Sequence, residues 1–196
     1  LLSRQTKINM PELIFSVATL ATQASWELFK DTDVPIVFAA VSDPVGAGVI
    51  SQEGVPSGDN ITGIVYSLHR DSKLKFANEI LGGKKATFGI IHSDYPSSVS
   101  DVAKIKKAAE KFPNIKFINY VFPYKKVPAG IDEMLVNVRK GIAELEDKVD
   151  YWWFAPGPLG ELDVYLHEIQ KLSKKQVFMG MRADNVKDGA LLSVNP

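Results

Sequence analysis

Short apolar runs, each closed by turn-forming residues, alternate along this chain with longer segments in which apolar residues recur every three or four positions. That alternation constrains the fold more than any other feature. Strands that are apolar throughout, rather than at every second residue, suit parallel pairing with both faces covered, and repeated strand–helix units supply the covering helices. The expected class is therefore α/β with doubly wound parallel sheets.

The strand-like runs are Leu13–Val17, Pro35–Val41, Ile61–Tyr66, Ala86–His92, Ile115–Phe122, Val149–Ala155 and Gln176–Gly180. Helical segments are expected around Thr22–Phe29, from near Pro44, over Ser72–Leu81 with a stop at Gly82-Gly83, and over Leu159–Leu172. Two more are marked by single apolar faces: Val102, Ile105, Ala109 and Phe112, then Ile131, Leu135, Val138, Ile142 and Leu145. Two strand–helix series meet near Tyr66–Asp71. Residues 1–67 are read as a partial first lobe, 68–191 as a second lobe, and 192–196 as a hinge crossing back toward the first.

Composition excludes some functions. Lys plus Arg and Asp plus Glu both number 23 in 196 residues, so no basic excess favours nucleic acid or an anionic membrane. Without cysteine there are no disulfides, thiolate metal sites or cysteine nucleophiles. No apolar run approaches the roughly 20 residues that span a bilayer, and no signal peptide is visible. Leu1-Leu2-Ser3-Arg4 reads as the tail of a helix rather than a natural start.

The turn Ser42-Asp43-Pro44-Val45-Gly46 follows an apolar run and invites several interpretations. A dinucleotide fingerprint would need a third glycine where Ser51 stands. A helix cap fits better: Ser42 or Asp43 accepts from free N–H groups, and proline suits a first turn. Location adds to this. In open α/β sheets ligands bind beyond the carboxyl ends of the strands. Ser42-Asp43, Ser93–Ser98, Pro156-Gly157 and Met181-Arg182 all follow predicted strands there. The aromatic run Tyr151–Phe154 is read as core, since adjacent strand residues point to opposite faces.

Other candidates lack a pattern. His69, His92 and His167 have no metal-ligand spacing and read as surface or loop histidines. Glu144, Glu146 and Asp147 read as a solvated face, and Glu161 and Asp163 as first-turn helix acids. No nucleophile elbow or Ser–His–Asp order supports an enzyme, and neither a metal nor a cofactor is expected.

The stretches "VPIVFAAVSDPVGAGVI" and "GDNITGIVYSL" resemble the substrate-binding proteins of ABC transporters in the tryptophan/tyrosine-type uptake group. "ANEILGGKKATFGIIHSDYPSS", "KVDYWWFAPG" and "VKDGALLSVNP" continue the resemblance in the same order. It implies a type I periplasmic-binding-protein fold, in which two α/β lobes close on a ligand. It also implies ligand contacts from Thr19, Ser42, Asp43, Ser97, Ser98, Pro156, Gly157, Met181 and Arg182. Tyr66, Ser67 and Ser193 would lie at the hinge. Family members commonly carry Ser-Asp where Met181-Arg182 stand, and an Asp or Asn near the turn at Pro156-Gly157-Pro158. Arg182 would instead favour a carboxylate or other anion. A full member would add a strand–helix–strand before Leu1 and helices after Pro196, so the first lobe is expected to be incomplete.

The expected function is extracytoplasmic capture of a small polar organic ligand, an amino acid or other carboxylate-bearing solute, for delivery to an ABC permease. The protein would be a monomer in the periplasm or anchored outside the cell. The alternative is a ligand-sensing domain of a signalling protein or regulator with the same fold.

Overall fold

The structure is a computed structural model, describing residues 10–65 and 70–193. The chain divides into two compact units, Leu1–Ser67 and Leu68–Pro196.

In the first unit, β1 (Ile14–Val17), β2 (Ile36–Val41) and β3 (Ile61–Val65) pair in parallel in the order β1-β2-β3. Helix α1 (Thr19–Phe29) returns the chain from β1 to β2. It begins three residues before the apolar pattern suggests, directly after Ala18. The core is one-sided. Phe29, Ile36, Phe38, Val49 and Ile61 are buried together, whereas Phe15, Val17 and Ile64 on the opposite face are exposed. Asn60 ties the layers, its Nδ2 lying 2.8 Å from Phe29 O, 2.9 Å from Thr32 O and 2.7 Å from Val34 O.

The helix expected near Pro44 does not form. Ala47 N–H donates to Asp43 O and Gly48 N–H to Val45 O at 3.0 Å each, closing successive turns. Gly48 at φ 72° takes a left-handed conformation that breaks the helical ladder.

In the second unit, β4 (Ala86–Ser93), β5 (Ile115–Phe122), β6 (Tyr151–Trp153), β7 (Val177–Gly180) and β8 (Leu192–Ser193) form a wholly parallel sheet. Its order is β5-β4-β6-β7-β8. The helices are α2 (Arg70–Leu81), α3 (Pro96–Ala109), α4 (Ile131–Leu145), α5 (Asp163–Leu172) and α6 (Ala183–Lys187). Alternation along β4 builds two cores. Phe88 and Ile90 pack with residues of α2 and α3, while Ile91 packs with residues of α4 and α5.

The aromatic run spans both cores, with Trp152 and Phe154 in one and Trp153 in the other. The buried Trp152 indole donates to Ser173 Oγ at 2.7 Å, which satisfies its only polar group. Ser173 Oγ in turn donates to Glu146 at 2.5 Å, so Glu146 belongs to this network rather than to a solvated face. Between α2 and α3, Arg70 Nε donates to the buried Asp101 at 2.9 Å.

Several expected boundaries move. Helix α5 starts at Asp163, because Leu159–Leu162 form a turn closed by Leu162 N–H on Leu159 O. Glu161 thus precedes the helix. Two short elements, α6 and β8, carry too little periodic sequence to be read in advance. Among the described residues no helix is long and apolar enough to cross a membrane.

Candidate functional site

Parallel pairing puts the carboxyl ends of neighbouring strands on one edge, so each sheet presents one such edge. At the first, β1 and β2 deliver Thr19 and Ser42-Asp43, all three buried. Asp43 Oδ1 accepts from Gly46 N–H at 2.9 Å, fixing the turn as an Asx-type cap. Thr22 Oγ1 donates to Ala18 O at 3.0 Å and lies 3.0 Å from Ser16 Oγ. Gln23 Nε2 donates to Ala47 O at 3.0 Å, joining α1 to the turn.

Two alanines at this edge have positive φ: Ala18 at 71° and Ala40 at 55°. Such conformations cost a residue with a Cβ of the order of 1–3 kcal/mol and cluster at functional sites. Ala40 lies where the β2–β3 register shifts, between Phe38 and Val41. Nothing in the sequence marks these positions, because the residue is not glycine.

At the second sheet, α3 begins at Pro96 immediately beyond β4, so Ser97 and Ser98 occupy a first helical turn rather than a loop. Ser98 Oγ donates to Pro156 O at 2.6 Å. Gly157, at φ 128°, lies so close to both serines that a Cβ there would overlap Ser98 Oγ and sit 3.6 Å from Ser97 Oγ. Ser97, Ser98, Pro156 and Gly157 therefore form one contiguous group. Tyr95 borders it, stacking edge-on to Tyr124 at 5.0 Å.

Met181 is not part of that group. Its side chain is buried in the apolar cluster of Phe154, Leu159 and Tyr165, and its N–H donates to Asn185 Oδ1 at 2.9 Å. Arg182 N–H donates to the same oxygen at 2.9 Å. The Arg182 guanidinium is partly committed, since Nη2 donates to Asp163 in an ion pair, while its buried Nε has no hydrogen-bond partner among the described residues. Glu161 is also within its electrostatic reach; burial pushes that carboxyl up from its usual pKa, and Arg182 opposes the rise. One acid pairs with this cation and a second lies within its electrostatic reach, which weakens the expectation that Arg182 favours an anion. No local pattern foreshadowed it, because the pairing spans 19 residues.

The histidine expectation needs correction at His92. It is buried on β4, with Nδ1 2.8 Å from Ser93 O and Nε2 3.2 Å from Asn119 Nδ2. Burial lowers its pKa, against the raising effect of Ser93 O. Ser93, at the tip of β4, is 1% exposed, and its Oγ has no hydrogen-bond partner among the described residues. Among the hinge expectations, Ser193 pairs with Gly180 in the second sheet, while Tyr66 and Ser67 lie outside the described residues. No group of three or more metal-ligating side chains occurs among the described residues.

The chain as a whole is similar to known proteins. The ABC transporter substrate binding protein family matches residues 1–149. A tyrosine-binding protein of Clostridioides difficile (strain R20291) is 33% identical over 139 residues, covering 71% of this chain and 36% of that protein. The ABC domain from Streptococcus pneumonia in complex with L-Trp superposes with TM-score 0.73 at 22% identity, over 98% of this chain and 62% of that one. A conserved domain protein from Vibrio cholerae gives TM-score 0.72 at 24% identity, over 97% and 60%. The chain therefore spans between about a third and two thirds of the length of these relatives. Its fold is that of the type I periplasmic binding proteins. By the match over most of its length, the chain belongs to the ABC transporter substrate-binding protein family.

Proposed function

We propose that this chain captures an amino acid, most favourably an aromatic one, as part of an extracytoplasmic substrate-binding protein that delivers its ligand to an ABC permease. The contiguous group Ser97, Ser98, Pro156 and Gly157 carries this proposal. It offers hydroxyls and closely approached backbone at the carboxyl edge where α/β sheets bind ligands. Thr19, Ser42 and Asp43 would contribute from the corresponding edge of the first sheet. Arg182 would act with Asp163 and Glu161, and Met181 only through the packing that holds Arg182 in place. Tyr66, Ser67 and Ser193 are assigned to the hinge between residues 1–67 and 68–191, with 192–196 leading back. No bond-making step is required; ligand-dependent closure would signal the transporter.

The amino-acid assignment draws on charge. Glu161 and Asp163 around a single guanidinium favour a ligand ammonium over a simple anion. The tyrosine-binding relative and the L-Trp complex support an aromatic side chain.

The test is thermal unfolding in the presence of L-tyrosine, L-tryptophan, L-valine and 3-phenylpropionate. Linkage raises the midpoint for any ligand bound by the folded state alone. Stabilisation by the aromatic amino acids, with little from the carboxylate lacking an ammonium, is expected. Equal stabilisation by 3-phenylpropionate would remove the role given to the acids, and no shift with any of the four would remove the proposal.

A further inference from the structure

The open edge of the second sheet carries a feature that ligand capture does not use. Strand β5 ends the sheet, and among the described residues no strand pairs with its outer side. Its register with β4 is unbroken from Ala86 opposite Ile115 to Ser93 opposite Phe122. Ala86 N–H donates to Asn114 O and Asp94 N–H to Phe122 O. In a parallel ladder the even-numbered residues of β5 thus turn their peptide groups toward β4, and those of Phe117, Asn119 and Val121 face outward.

Two shallow cavities lie along this edge on the α3 side. One, of about 270 Å³, has Ala109, Phe112, Ile115 and Phe117 in its lining; the other, of about 260 Å³, has Val99, Val102 and Val121. Val121 is 52% and Val99 44% exposed. Lys106 borders both cavities, and its Nζ donates to Asn119 Oδ1 at 2.9 Å, which holds the ammonium between them. Lys116 and Glu110 are the other charged residues of the lining, beside the imidazole of His92.

We propose that this edge docks an extended acidic segment of a partner protein, which adds to β5 as a further strand. Apolar side chains four residues apart seat in the two cavities, and a carboxylate midway between them, on the same face, meets Lys106. Main-chain bonds supply affinity in such strand addition and the pockets supply specificity. Charge selects the partner. Lys106 and Lys116 against the single acid Glu110 leave the lining net positive, which attracts an acidic strand, and a lysine on an edge strand is a usual guard against self-pairing. The proposal stands apart from the ligand assignment.

The test uses the whole chain and two synthetic peptides, one repeating Val-Thr-Glu-Thr and one repeating Val-Thr-Lys-Thr, so that valine and the charged residue share one face of the strand. Hydrogen exchange and fluorescence polarisation are read for each. The glutamate peptide should slow exchange at Phe117, Asn119 and Val121 and bind at least about tenfold more tightly than the lysine peptide. Lys106→Glu should reverse that preference. Val121→Pro, which removes an outward N–H at a position where an edge tolerates proline, should abolish protection with an unchanged circular dichroism spectrum. If the proline variant does not fold, Lys106→Glu alone decides. Equal binding of the peptides, protection elsewhere, an unchanged preference in Lys106→Glu, or no binding by either peptide at about 1 mM would each overturn the proposal.

Discussion

Gly157→Ala should be among the most damaging single-methyl additions in the second unit. At φ 128° an L-residue is strained by about 1–3 kcal/mol. The new Cβ would also overlap Ser98 Oγ, forcing that hydroxyl off the carbonyl of Pro156, now 2.6 Å away. Losing that buried hydrogen bond costs about 1 kcal/mol. The total is about 3 kcal/mol, which for a chain of this size lowers the midpoint of thermal unfolding by about 6–12 °C. Circular dichroism melting measures it directly. A double-mutant cycle with Ser98→Ala separates the two contributions. Once Gly157→Ala has displaced the hydroxyl, removing it costs little more, so the pair should couple by about 1 kcal/mol. A fall of less than about 2 °C, or strict additivity, would show that Gly157 and Ser98 do not share the space the geometry gives them.

Asn60→Asp should destabilise the first unit by about 3 kcal/mol, since a carboxylate would face three carbonyl oxygens that now surround an amide NH2; chemical denaturation measures it, and a change below about 1 kcal/mol would contradict the clamp. Ser93→Ala should leave the unliganded protein equally or slightly more stable, because it removes a buried hydroxyl without a partner; a marked loss of stability would mean the hydroxyl is satisfied. For His92 the folded pKa lies below the ordinary value because burial disfavours the charged ring. The unfolded chain then takes up the proton first as pH falls below about 6.5. The stability linked to His92 is therefore full above that pH and is lost below it. His92→Asn should flatten the decline in midpoint between about pH 7 and pH 5, and identical slopes for the two proteins would rule this out.

Strands and helices with strong periodicity were legible because their pattern is local. The apolar faces of α3 and α4 and the continuous strands β4 and β5 required only the sequence around them. So did the core placement of Trp152, Trp153 and Phe154, since neighbouring strand residues must face opposite layers. The turn at Ser42-Asp43 was recognisable as a cap for the same reason, although the helix expected after it is replaced by turns.

The sequence by itself determined the class of fold, its parallel strands and the loops that end on the carboxyl edges, because each follows from apolar spacing and turn chemistry over a few residues. Only the tertiary structure decided the strand order β5-β4-β6-β7-β8, the burial of His92, the withdrawal of Met181 into the core and the pairing of Arg182 with Asp163. Those outcomes depend on which distant segments pack together. A side chain's charge and reach are local properties, but its partner is whichever group the crossovers bring alongside it.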